Sequence, residues 1–288
     1  MTPLDLVKLT SLMDRTGGSR DVTIGLIDGP VVVDHPDLSG QQINDISGNK
    51  NGACKQADSM ACLHGTFVAG ILSAKRGSVA PAIAPNCTLV IRPVFTDSSI
   101  KNGRSPSSTP DELAAAIFEC IKARVRCINL SLALAQPSSK GERELEQVLD
   151  YAAKLGVVIV AAAGNQGTLG STAIIRHPWV IPVVACDLSG RPSSESNLGS
   201  SIGRSGLRAP GVAITSLGVD GKPLTLGGTS AATPFVTGAI ALLMSIFPKA
   251  TAAHLKIAVT QATSTRRNTI VPPLLDAWEA YEYLAKLR

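Results

Sequence analysis

Aromatic residues make up only 3% of this 288-residue chain, and neither sign of charge dominates it. The net charge of +5 is spread along the sequence with no basic block interleaved with aromatics, so nucleic-acid binding leaves no footprint. No run reaches the roughly 18 apolar residues that a membrane span needs. The opening stretch MTPLDLVKLTSLMDRTGG lacks the basic start, apolar core and small-residue cleavage site of a signal peptide. The six cysteines include no CxxC pair, which argues against a zinc site. Cys54 and Cys62, flanking a loop just before His64, are the pair left open as a disulfide. No GxGxxG follows a strand and no P-loop occurs, which leaves nucleotide binding without a cradle. The expectation is one cytoplasmic domain over residues 1–288, without metal, cofactor, nucleic-acid or membrane partner.

What the chain has in quantity is Ala, Gly, Ser and Val, suited to helices packed tightly on a sheet. Five short, β-branched-rich runs end in turn residues: 22–29, 88–95, 126–132, 157–164 and 179–186. Such runs predict strands covered on both faces. Helical segments alternate with them at 65–75, 110–124 and 141–156. In the last, Leu145, Val148, Leu149, Ala152 and Leu155 recur at helical spacing before Gly156. The alternation predicts an α/β fold with a mainly parallel sheet between helices. Residues 99–110 read as a surface loop, and two further helices are expected within 250–262 and 272–287.

Four residues stand where a parallel sheet places its chemistry, at the carboxyl ends of strands or the starts of helices. Asp28 closes the first strand; taken singly, it is an ordinary turn residue. His64 opens HGTFVAGI, where a helix N-terminus disfavours its charged form and so suits a general base. Asn165 ends AAAGN, as a turn residue or as a donor to an oxyanion. Ser230 sits between a glycine turn and an apolar helix, in the position of an N-cap. Pro234 is expected in the first turns of that helix, where backbone N–H groups lack intrahelical partners. Together the four supply the acid, base, oxyanion donor and nucleophile of acyl transfer, with the triad in the order Asp, His, Ser.

On these residues, and on the motifs IDGPVVVDHPDL, HGTFVAGI, AAAGNQG and GGTSAATPFVTGAIALL, the chain from Val22 to Ala262 resembles the subtilisin-like serine proteases. The resemblance implies their three-layer fold and peptide hydrolysis without a cofactor, with Asp28, His64 and Ser230 catalytic and Asn165 in the oxyanion hole. It implies an extended peptide lying along Ser131, Leu132 and Ala133, beside Ala162, Ala163 and Gly164. Gly29 and Pro30 follow the Asp where the family has Ser or Thr and then Gly, Phe67 replaces a frequent second histidine, and Ala133 stands for a glycine. These departures bear on substrate preference: Ala133 narrows the pocket, and Arg176 beside His177-Pro178 either faces the pocket, with a preference for acidic P1 residues, or lies exposed on the loop surface. Asp37 matches a calcium ligand of many relatives, but the loop 74–85 brings Lys75 and Arg76 instead of its partners. The segments IGLIDGPVVVDHP and IRPVFTD, with no prodomain in view, also resemble the proteases that process ribosomal precursor peptides in cyanobactin biosynthesis. A macrocyclising acyl transferase and an inactive peptide-binding module are the alternatives.

Overall fold

The computed structural model describes residues 1–47, 54, 59–95, 108–132, 142–261 and 269–287. Seven parallel strands form one sheet in the order β2-β3-β1-β4-β5-β6-β7. They are β1 (Thr23–Asp28), β2 (Ile43–Asp45), β3 (Thr88–Pro93), β4 (Cys127–Leu130), β5 (Val158–Ala162), β6 (Val180–Cys186) and β7 (Leu207–Pro210). A two-stranded antiparallel ribbon, β8 (Ile214–Leu217) with β9 (Pro223–Leu226), follows.

Alternate residues of the central strands enter two separate cores, which is why the runs read as continuously apolar. Val158 and Val160 of β5 join one core, while Ile159 and Ala161 join the other. The first core holds α3 (Met60–Ser73) and α8 (Thr229–Ile246), together with α9 (Ala252–Gln261) and α10 (Ala277–Lys286). The second holds α4 (Pro110–Lys122) and α5 (Glu142–Leu155). Helix α4 starts as its sequence suggests, with Pro110 at the first position, Asp111 and Glu112 in the first turn, and Thr109 Oγ1 accepting from Glu112 N. Helix α8 is long and apolar enough to cross a membrane by composition, but its apolar window is 83% buried, as for the central helix of a packed core.

Several elements differ from the sequence expectation. Helix α3 begins at Met60, five residues early, because Ser59 caps it through Cys62 N; His64 therefore lies inside the helix instead of at its entrance. The N-terminal stretch forms two short helices, α1 (Pro3–Leu6) and α2 (Leu9–Met13), with Val7, Leu9 and Leu12 fully buried. Arg15 next to them lies over the rings of Trp278 and Tyr281, at 5.0 and 4.9 Å, and so ties the N-terminal segment to α10. Strand β2 was not expected, whereas β7, β8 and β9 fall in the tract 187–228, whose short strands the sequence suggests without placing them. The loop assigned to 99–110 lies outside the described residues up to 107. Cys54 and Cys62 form a disulfide, with their Cα atoms 5.6 Å apart.

Candidate active site

All seven strands of the sheet point the same way, so their carboxyl ends share one edge. The chain passes to one side of β1 for β2 and β3 and to the other for β4, which makes the β1/β4 boundary a topological switch point. Asp28 ends β1, Ser131 follows β4, and Asn165 lies three residues past β5. Three neighbouring strands thus deliver three of the sequence-derived residues to one place, and α8 brings Ser230 over them.

Asp28 is fully buried, and one of its oxygens, Oδ1, accepts from both Gly29 N and His64 Nδ1 at 2.6 Å. A carboxylate can only accept here, so Nδ1 carries the proton and neutral His64 presents a basic Nε2. Burial disfavours charging this imidazole, but the Asp28 charge and its hydrogen bond outweigh that and raise the His64 pKa above the ordinary value. The contact depends on two glycines. A Cβ on Gly65 would stand 2.7 Å from the Gly29 carbonyl carbon, and one on Gly29 would stand 2.7 Å from the carbonyl carbon of Ala61. The backbone of α3 therefore lies directly on the residues that follow β1, which places His64 against Asp28.

Ser230 is the second residue of α8, after Gly228 at φ +106°. No L side chain suits that conformation, and a Cβ there would also meet Asn165 Nδ2 at 2.8 Å. Asn165 Oδ1 accepts from Thr229 N at 2.8 Å and from Thr229 Oγ1 at 3.0 Å. That fixes the amide and leaves Nδ2 as its outward donor, beside the N-terminus of α8. Thr229 was missed at the sequence level, and so was Asn197. Asn197 Oδ1 accepts from Gln166 N and Thr168 N, while its Nδ2 donates to Ala163 O, so one side chain shapes the whole turn that carries Asn165. Asn197 lies outside every motif, and Thr229 lies inside GGTSAATPFVTGAIALL, where nothing local marks its role because its partner Asn165 is far away in sequence.

Ala162, Ala163 and Gly164 are buried at the end of β5, and Ser131 and Leu132 are buried beyond β4. Ala133 lies outside the described residues. No hydrogen bond among the described residues joins His64 to Ser230; such bonds are often long before substrate binds and tighten in the Michaelis complex. Arg176, on the short helix α6 (Ala173–Arg176), is half-exposed. It donates to Ser171 O at 2.8 Å and lies 3.9 Å from Glu142 of α5, so its charge is already engaged at a surface contact between helices.

Pro234 corrects the sequence reading. It is the sixth residue of α8, where a backbone N–H would normally bond inside the helix. The four free cysteines offer no rival nucleophile. All are buried, and burial pushes the thiols up, Cys186 to about 11 and Cys120 to about 12.

Comparison with known proteins accords with this geometry. The subtilase family, Peptidase_S8, matches residues 19–274. Subtilisin DY of Bacillus licheniformis is 30% identical over 267 residues, covering 88% of this chain and 87% of its own. Subtilisin NAT of Bacillus subtilis subsp. natto is 30% identical over 255 residues, and the match spans only 62% of that longer protein. Among solved structures, the prenylagaramide maturation protease PagA superposes with a TM-score of 0.82 at 27% identity, covering 96% of this chain and 98% of that one. A mutant of the protease domain of PatA gives 0.84 at 28% identity, covering 94% and 98%. With the matched segment running through all seven strands and every residue of the site, this chain belongs to the subtilase family.

Proposed function

We propose that this domain hydrolyses peptide bonds through an acyl-enzyme on Ser230, and that its substrate is a ribosomally made precursor peptide. The 2.6 Å bond between buried Asp28 and His64 carries the reading, because it sets the one tautomer that can take a proton at Nε2. Ser230 Oγ attacks the scissile carbonyl carbon as His64 Nε2 accepts the hydroxyl proton. The tetrahedral oxyanion receives hydrogen bonds from Asn165 Nδ2 and Ser230 N–H. The C–N bond then breaks, and His64 passes its proton to the leaving amine. Water, deprotonated by the same imidazole, releases the acyl group and regenerates Ser230. Asp28 holds the ring and balances the imidazolium formed in each half-reaction.

The peptide lies extended along Ser131 and Leu132, pairing with the backbone where the chain runs on past the end of β4. The precursor-peptide substrate is supported by likeness to the prenylagaramide maturation protease PagA and to the PatA protease domain. The test is labelling by a fluorophosphonate probe, followed by product mass spectrometry on a peptide library. Wild type should label once, at Ser230, and Ser230→Ala should neither label nor cleave. Asn165→Ala should lower kcat by roughly 10²–10³-fold with a small change in KM. A Ser230→Ala protein that cleaves at the wild-type rate refutes the mechanism, and precursor peptides left intact by unlabelled enzyme from a preparation shown to label fully refute the substrate class.

A further inference from the structure

The start of α8 lacks one donor. In an α-helix the N–H of residue 234 would bond to the carbonyl of residue 230, but residue 234 is proline and has no N–H. The carbonyl left without a helical partner is that of Ser230 itself. Ser131 Oγ, from beyond the end of β4, donates to it at 2.9 Å. Ser131 is in turn held from behind: Asn129 Nδ2 donates to its Oγ at 2.7 Å, and Thr237 Oγ1 donates to Asn129 Oδ1 at 2.8 Å. Asn129 and Thr237 are fully buried and Ser131 is 3% exposed, so water does not compete along the chain of bonds.

The geometry favours one direction. Thr237 Oγ1 lies 2.8 Å from Asn129 Oδ1 and 3.3 Å from the Thr233 carbonyl, so its single proton goes to the shorter bond with Asn129; Asn129 then gives an amide hydrogen to Ser131, and Ser131 gives its proton to Ser230. Turning the Asn129 amide round would leave the Ser230 carbonyl with no donor at all. The relay spans from residue 237 to residue 230 on one face of α8, through a strand residue between them, and so clamps the peptide plane that follows Ser230 to the sheet. The tilt of that plane sets ψ at Ser230 and with it the direction of the Cα–Cβ bond.

We propose that Ser131, oriented by Asn129 and Thr237, is a positioning residue that aims Ser230 by replacing the helical hydrogen bond Pro234 removes. This rests on Ser230 being the nucleophile. The role belongs to the Ser131 hydroxyl and is separate from any contact its backbone makes with a peptide. Loss of the hydroxyl leaves a buried carbonyl unpaired beside the reacting atom, and misaimed groups cost rate more than affinity.

The experiment measures the fluorophosphonate labelling rate of Ser230, kcat and KM on a fluorogenic peptide, and Tm. Ser131→Ala should slow labelling and lower kcat by roughly tenfold, with KM within about twofold. Thr237→Val should move both in the same direction, and Thr237→Ser, which keeps the hydroxyl, should restore them. The decisive variant is Ser131→Ala combined with Pro234→Ala. Residue 234 then has an N–H that can reach the Ser230 carbonyl, so labelling and kcat should return most of the way to wild type. Wild-type kcat in Ser131→Ala overturns the proposal, and so does a double variant no faster than Ser131→Ala alone. If Ser131→Ala does not fold, Thr237→Val decides alone, and wild-type kcat there overturns the proposal equally. Failure of the wild-type protein itself to label would instead remove Ser230 as nucleophile.

Discussion

Replacing Gly65 by alanine should damage catalysis far more than stability. Gly65 follows His64 in α3, and the backbone it meets, Gly29 and Pro30, follows Asp28. A Cβ at 65 would lie 2.7 Å from the Gly29 carbonyl carbon, so the gap must widen toward the 3.4 Å of ordinary contact. Both sides are backbone, and neither can swing away as a side chain would. For stability the terms nearly cancel: alanine in mid-helix gains about 1 kcal/mol over glycine, while overpacking costs about 1–3 kcal/mol. The net loss is about 0–2 kcal/mol, or a Tm lower by no more than about 8 °C for a domain of this size. For catalysis nothing compensates, because the widening falls on the 2.6 Å bond between Asp28 and His64. Misplacements approaching 1 Å cost about 10²-fold, so kcat/KM should fall by roughly 10- to 100-fold. A longer bond also raises the His64 pKa less, so the acid limb of the kcat/KM profile should move to lower pH. Gly238→Ala is the control, since its added Cβ would crowd Ile83, with Cγ2 at 2.5 Å and Cβ at 3.0 Å, so it should cost stability without touching the bond between Asp28 and His64. The assay is kcat/KM against pH together with thermal melts for both variants. Wild-type kcat/KM in Gly65→Ala would refute the claim that this backbone contact sets the catalytic geometry.

Three further predictions follow from the same contacts. Activity needs neutral His64, and its pKa is raised, so kcat/KM should fall as pH drops through a value above the ordinary histidine 6.5. Asp28→Asn should lower kcat by roughly 10⁴-fold and shift that limb down, because burial alone then acts on the ring; an unmoved limb would contradict the assignment. A chelator should leave Tm unchanged, since Arg76 already donates to the carbonyls of Met13 at 2.6 Å and Thr16 at 2.9 Å, and Lys75 Nζ to that of Pro36 at 2.8 Å. Arg76→Met should cost about 1–3 kcal/mol in chemical denaturation, and a large fall of Tm with chelator would show that a metal, not these side chains, holds the segment. Arg176→Ala should leave the discrimination between Glu and Leu at P1 unchanged, because the guanidinium is engaged by Ser171 and Glu142; lost preference for Glu would return it to the pocket.

The legible parts of this fold are those whose burial is two-sided or periodic. Strands β1, β4, β5 and β6 read directly because alternate residues feed two cores, and α5 reads from its apolar stripe. Strand β2 is largely exposed and only three residues long, and β7 is Leu-Arg-Ala-Pro, which has no pattern of its own. Each is a strand only because a partner, β3 or β6, offers it a ladder. The same division holds in the site. Asp28, His64, Asn165 and Ser230 are embedded in local motifs, whereas Thr229 and Asn197 act through bonds to residues more than thirty positions away. The start of α3 was misplaced because MACL has no polar face to mark a turn, and its signal was the single cap Ser59.

Gly29, one of the departures from the family pattern, has a reason in the same packing. The family usually has Ser or Thr at this position, but any Cβ here would stand 2.7 Å from the carbonyl carbon of Ala61 and 3.1 Å from its Cα. In this chain the first turn of α3 therefore occupies the space a side chain would need. Glycine at 29 and the early start of α3 at Met60 are one structural choice, since the residues added to the helix are those that press on Gly29. The choice also changes how Asp28 is held. Both of its donors, Gly29 N and His64 Nδ1, fall on Oδ1, and Oδ2 is buried without a hydrogen-bond partner. Here the orientation of His64 rests on a single carboxylate oxygen and on the backbone contact that aims it. This is why a methyl group at Gly65, which presses on the backbone behind Asp28, is expected to act on the chemical step.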